Sequence, residues 1–199
     1  MKSNVDIIEL CKLATLIAGK RKSGIEKSLR KIKSMGINSQ KVYEVILQTY
    51  LFCGFPATIE AMKLFRLIFD NYNDKRKAKY EVKRFYMKGI RNCKKVYKKN
   101  FDKLQNNISK ISEDLNLWMI VEGYGKVLGR KGLNLKEREL INISLLIGNY
   151  YEHQLISHLK GSLNTGSDID ILYTIINAIE PVTSKRNINK IKHLLKVIL

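Results

Sequence analysis

Apolar residues recur three and four positions apart along nearly the whole chain, and only two prolines, Pro56 and Pro181, interrupt that rhythm. Such spacing gathers apolar side chains on one face of a helix, whereas a half-buried strand needs strict alternation. No stretch alternates convincingly, so the expectation is an all-α fold. Stop signals sharpen it. The runs DIIELCKLATLIAG, IEKSLRKIKSMG and SQKVYEVILQTYLFCG close on Gly19, Gly36 and Gly54, where a helix C-terminus favours a residue that tolerates positive φ. PATIEAMKLFRLIFDN then opens on a proline, which suits a first helical turn. Further helices are expected at about 78–108, 114–128, 136–148, 151–165, 168–180 and 184–198.

A chain of 199 residues that is 45% hydrophobic can bury a core of its own. No apolar run reaches the eighteen residues that suggest a membrane span. The N-terminus, MKSNVDIIELCKLATLIAGKRK, carries Asp6 and Glu9 inside its apolar part and lacks a small-residue cleavage site, so the expectation is no signal peptide and a cytoplasmic location. Cys11, Cys53 and Cys93 lie far apart and form no C-x-x-C pair, which reads as free thiols with neither a disulfide framework nor a metal site.

The chain also resembles itself. A shift of 130 residues brings Glu9 and Leu10 onto Glu139 and Leu140, Gly36 onto Gly166 and Tyr43 onto Tyr173, without a gap. Apolar positions follow the same register, including Leu13 on Ile143 and Val45 on Ile175. Heptad-like patterns align by chance, so the match supports an internal duplication without requiring one. Under that alignment Ser23 and Ser28 stand where the second copy has His153 and His158.

The net charge of +19 is concentrated. Between Asp74 and Asn100 twelve basic residues face two acids, and between Lys20 and Lys33 seven face only Glu26. One reading is a phosphate-binding face, with Tyr80, Tyr86 and Tyr97 available for stacking. The other is a solvated helix face, on which the same tyrosines form an apolar stripe. No nucleic-acid recognition motif accompanies the charge. A positive field also draws in small anions.

Two of only three histidines fall within GNYYEHQLISHLKG. If Glu139 and His158 lie on antiparallel helices joined near Gly148 and Asn149, each sits roughly 14 Å from the bend at 1.5 Å per residue, so they can be level. Tyr151, Gln154 and His158, three and four apart, share a face, while His153 lies nearer the bend and to one side. A carboxylate on an imidazole fixes its tautomer and suits it to proton transfer. The competing reading makes Glu139 a first-turn acid that offsets the helix dipole, with the histidines as ordinary hydrogen-bonding residues.

The segment EGYGKVLGRKGLNLKERELINISLLIGNYYEHQLISHLKGSLNTG resembles the carboxymuconolactone decarboxylase family, and LQTYLFCGFPATIEAMKLF resembles the part of the same repeat where a GFPA stretch opens a helix. The similarity is greatest to two-repeat, largely uncharacterised members. The resemblance implies the helical fold of alkylhydroperoxidase D with two tandem repeats: a degenerate one at 1–73, a basic helical connector at 74–113 and a second repeat at 114–199. It also implies a homo-oligomer (dimer, trimer or hexamer). In the peroxidase branch a glutamate is followed by Cys-x-His-Cys and a further histidine; these positions fall on Glu139, on Tyr151, His153 and Gln154, and on His158. Both cysteines are thus replaced, and thiol peroxidase chemistry is disfavoured.

The decarboxylase branch implies cofactor-free acid/base chemistry, decarboxylation or isomerisation, on a small anionic lactone or carboxylic acid, as in a carboxy-lyase. His158 is then the general acid/base, Glu139 its orienter and His153 a second donor. Tyr151, Gln154 and Arg138 would contact substrate, with Lys160 a further charge partner. The alternative is a non-catalytic member whose basic surface binds nucleic acid or another polyanion.

Overall fold

The computed structural model describes residues 2–74 and 79–198. Lys75, Arg76 and Lys77 of the basic segment lie outside them. Among the described residues every regular element is helical: α1 (Lys2–Ala18), α2 (Lys22–Ser34), α3 (Ser39–Ile68), α4 (Val82–Tyr97), α5 (Phe101–Ile111), α6 (Glu113–Trp118), a π-helical segment (Met119–Val127), α7 (Leu135–Asn149), α8 (Glu152–Asn164), α9 (Ile169–Ile179) and α10 (Lys185–Ile198).

The glycine stops hold at two of three positions. Gly36 (φ 66°) and Gly54 (φ 74°) are left-handed, but after α1 it is Lys20 (φ 54°) that takes this conformation instead of Gly19. The Arg21 N–H then closes on the Leu16 carbonyl at 3.1 Å and the Lys20 N–H on Ile17 at 3.0 Å. Gly54 bends the 30-residue α3 into two helices, with Pro56 in the first turn of the second. By length and composition α3 could cross a membrane, yet it is broken at Gly54 and buries Val42, Val45 and Ile46 against the protein core.

The single helix expected over 78–108 is two, because Lys98 (φ 47°, ψ −124°) breaks it and a short 3-10 turn follows. The break lets Val96 and Phe101 both enter one small core with Cys93, Ile120, Tyr124 and Leu128. The helix expected over 114–128 continues as π-helix from Met119. Backbone contact explains the glycines here. A Cβ on Gly89 would lie 2.0 Å from the Ile120 carbonyl oxygen, and one on Gly125 would lie 2.1 Å from that of Phe85. Thus α4 and the π segment touch main chain to main chain.

The main core joins the two ends of the chain. Residues from Ile7 to Phe69 and from Leu133 to Leu195 form one buried apolar cluster, in which α1 lies along α7. There Thr15 Oγ1 donates to the Ser144 carbonyl at 3.1 Å, and Cys11 Sγ to that of Leu140 at 3.6 Å.

Two pairs of element bounds repeat at the 130-residue offset. Lys22–Ser34 corresponds to Glu152–Asn164, and residues 55–68 of α3 to Lys185–Ile198. Left-handed Lys20 and Tyr150 (both φ 54°) and left-handed Gly36 and Gly166 obey the same offset.

Candidate functional site

The start of α7 is set by Asn134, whose side chain caps the Glu137 N–H while the Glu137 carboxylate returns to the Asn134 N–H. Glu137, further held by Lys41 at 2.6 Å, is therefore the first-turn acid. Glu139 two residues on is turned inward and fully buried. The helix ends at left-handed Tyr150, slightly beyond the expected bend, and α8 begins after Tyr151.

This hairpin brings Glu139 and His158 together: Oε2 lies 2.7 Å from Nδ1, with both side chains buried. Gly161, one turn along α8, permits the approach, since a Cβ there would stand 2.9 Å from Glu139 Oε2. Phe52 and the imidazole pack in a T-shaped arrangement, 5.8 Å between centroids. Asn142, on the same face of α7, donates to Glu139 Oε1 at 3.2 Å and accepts from Gln48 Nε2 at 2.6 Å. Gln48 Oε1 in turn accepts from Arg138 at 2.9 Å. A polar chain thus runs from His158 inward to α3.

Arg138 belongs to that interior. It is fully buried, donates to Glu44 Oε2 at 2.9 Å and to the Arg130 carbonyl at 3.0 Å, and shares Glu44 with Arg130. Its guanidinium therefore faces α3 and the turn before α7. His153 is exposed; its carbonyl accepts from Ser157, and its ring makes no hydrogen bond among the described residues. Tyr151 is 59% exposed at the N-cap, and Lys160 is also exposed. The structure thus joins Glu139 and His158, sets Gln154 at the edge of the same space, and leaves His153, Tyr151 and Arg138 apart from it.

That space is a cavity of about 600 Å³ bounded by α3, the end of α4, α6, the π segment and α8. Its lining includes His158, Gln154, Tyr97, Tyr124, Glu122 and Lys126. Burial pushes the Tyr97 and Tyr124 phenols upward, and the Glu139 charge nearby adds to it, so both are hydroxyl donors at neutral pH. At the rim, burial tends to raise the Glu122 carboxyl, but hydrogen bonds from Lys126, Tyr80 and Tyr50 outweigh it and hold the group low. Tyr97 was legible in the sequence only as part of a stripe. Asn142 could have been found, three residues after Glu139 on one helical face.

The corresponding place in the first half is different. Glu9 is buried but tied to Lys12 and Lys31, each at 2.9 Å. Ser28, at the position of His158, has its hydroxyl buried with no partner among the described residues. Across the described residues, no group of three or more His, Cys, Asp or Glu gathers as a metal site would require.

No family model matches the chain. Over 81 residues, 40% of its length, it is 32% identical to Peroxisomal protein 2 of Saccharomyces cerevisiae (strain ATCC 204508 / S288c), and the match spans 29% of that protein.

Proposed function

We propose that the protein is a duplicated carboxymuconolactone-decarboxylase-like enzyme that performs cofactor-free acid/base chemistry, decarboxylation or isomerisation, on a small lactone or carboxylic acid. The observation that carries this reading is the buried contact of 2.7 Å between Glu139 and His158 at the wall of a cavity large enough for a substrate. Glu139 fixes the imidazole through Nδ1 and leaves Nε2 to move a proton. The repeating helix bounds support the duplication, and the lysine-bound Glu9, with Ser28 at the position of His158, makes the first copy the silent one. Peroxidase chemistry stays disfavoured: Tyr151 and Gln154 supply no thiol, and burial pushes Cys11 and Cys93 up to about 12. Assembly as a homo-oligomer and a cytoplasmic location belong to the same proposal; the name of the yeast protein adds the peroxisome as the competing location.

The test is proton NMR of the two imidazoles during a screen of small lactone acids, in wild type and Glu139→Gln. A ligand at the site moves His158 and leaves exposed His153 in place, and the response falls in the variant. If no acid or lactone disturbs His158, the reading is wrong.

A second reading has an observation of its own. Arg84, Lys88, Arg91 and Lys95 form one stripe on α4, opposite buried Gly89, Cys93 and Val96. Burial, then the crowding of Arg84, Arg91, Arg138 and Lys131, lowers Lys88 below the usual lysine range. Such a stripe fits a polyanion, and binding to single-stranded DNA or RNA would weaken steeply with salt. Affinity independent of salt would remove it.

A further inference from the structure

The acid/base pair uses one wall of the cavity and leaves the others unexplained. Those walls are aromatic: Tyr50, Phe52, Phe55, Tyr80, Trp118 and Tyr124 all line it. Phe55, Tyr80 and Trp118 are 67%, 63% and 56% exposed. A cluster of exposed aromatic side chains around a concave site marks a surface that binds apolar matter. Among the lining residues Lys126 is the only lysine or arginine, and it is held by Glu122 at 2.6 Å. The same carboxylate accepts the hydroxyls of Tyr50 and Tyr80. With Arg138 committed to Glu44, no cation stands unopposed inside the cavity.

Besides Lys126 and Gln154 at its edge, His158 and Tyr97 retain hydrogen-bonding capacity there. His158 has Nε2, because Nδ1 is on Glu139. Tyr97 accepts the Tyr124 hydroxyl at 3.3 Å and keeps its own O–H proton to give. An acceptor for a proton and a donor for an oxygen, set in an apolar volume, match a carbonyl group next to an acidic C–H bond.

We infer that the site takes an enolisable ketone or keto acid that bears an aromatic ring, that ring among the aromatic walls, its ketone oxygen at the Tyr97 hydroxyl and its acidic C–H at His158 Nε2. The inference rests on the acid/base reading of Glu139 and His158 and names its substrate class. In the step, Nε2 takes a proton from the carbon beside the carbonyl. The C–H electron pair becomes the new C=C bond, and the carbonyl π pair moves to the oxygen that Tyr97 holds. The proton on Nε2 then goes to that oxygen, giving the enol, or back to carbon. Nothing is oxidised or reduced, and no co-reactant is consumed.

Trp118, the chain's only tryptophan, lines the cavity and reports its occupancy. The full-length protein is titrated with phenylpyruvate and with pyruvate, which carries the same keto acid without the ring. Trp118 emission is corrected against free tryptophan amide, and enol formation is read by absorbance. Phenylpyruvate is expected to quench Trp118 saturably at a concentration about tenfold to a hundredfold below that of pyruvate, the effect of burying one ring. Gly123 lines the cavity, and a Cβ there would meet nothing within 4 Å. Gly123→Phe should therefore fill the space and abolish the quench while its circular dichroism stays that of wild type. His158→Gln should keep binding and lose at least about tenfold in enol formation.

Equal half-saturation for the two keto acids, or a quench that survives Gly123→Phe, overturns the inference. If a lactone acid moves the His158 NMR signals while phenylpyruvate does not bind, the substrate class fails and the acid/base reading stands. If phenylpyruvate binds with the expected preference but His158→Gln leaves enol formation unchanged, the acid/base reading fails and the enolisable requirement with it.

Discussion

Arg138 shows how far a residue's type can mislead about its task. Its charge suggested a substrate contact, yet its guanidinium is fully buried and spent on Glu44, Gln48 and the Arg130 carbonyl. Removing one member of a buried pair strands the other, at a typical cost of about 3–5 kcal/mol. Arg130 remains on Glu44, so Arg138→Met is expected at the low end, about 3 kcal/mol, read from urea denaturation. The thiols give a second residue-scale prediction. Burial pushes Cys11 and Cys93 up to about 12 and raises half-buried Cys53 less decisively. At pH 8 an alkylating reagent should label Cys53 first and the other two only after denaturation. Labelling of all three at one rate would contradict these burials. At this scale the meeting of Glu139 and His158 was legible, because 1.5 Å per residue on either side of a bend sets their level. So was the offset of His153 to one side; the separation of Tyr151 and Arg138 was not. Which face of each helix turns to which neighbour depends on α3 and the π segment, and α3 approaches from far along the chain.

At the level of elements, helix existence followed from periodicity, and the end of α2 and the bend in α3 from glycine. The exceptions have local causes. Lys20 ends α1 because the two carbonyls left over there are closed by its own N–H and that of Arg21. Lys98 breaks the basic segment because Val96 and Phe101 share one core. The π segment was not legible because its signature is an i to i−5 bond, such as the Leu128 N–H on Gly123 at 2.9 Å, and apolar spacing barely distinguishes that from an α-helix. The contact of this segment with α4 is the most exposed to mutation. Gly89→Ala puts a methyl 2.0 Å from a backbone oxygen, and backbone cannot step aside as a side-chain tip does. The expected loss is about 2–3 kcal/mol, the upper part of the overpacking range, seen as a lower urea midpoint. The same change at Gly123, where a Cβ meets nothing, should be neutral or slightly stabilising through helix propensity.

For the whole molecule, acid should be destabilising in a defined way. Burial works against ionised Glu9 and Glu122, but their lysine and tyrosine partners more than compensate and lower both below 4.5. A carboxyl lower in the folded state contributes stability that is present above its unfolded value and lost as pH falls through the folded one. The urea midpoint should hold from neutral pH to about 5 and decline below that. Glu122→Gln should lower the neutral plateau and soften the decline, whereas a purely global repulsion among the +19 charges would leave the shape of the curve unchanged.

The packing of α1 against α7 also governs how the chain is made. Thr15 finds its partner 129 residues later, at Ser144. Chains emerge at about 5–20 residues per second, so Leu10, Leu13 and Ile17 wait roughly 6–26 s with an apolar face uncovered. The nascent first half is therefore a client for whatever shields hydrophobic surface at the ribosome, and that face of α1 is covered only once α7 has been synthesised.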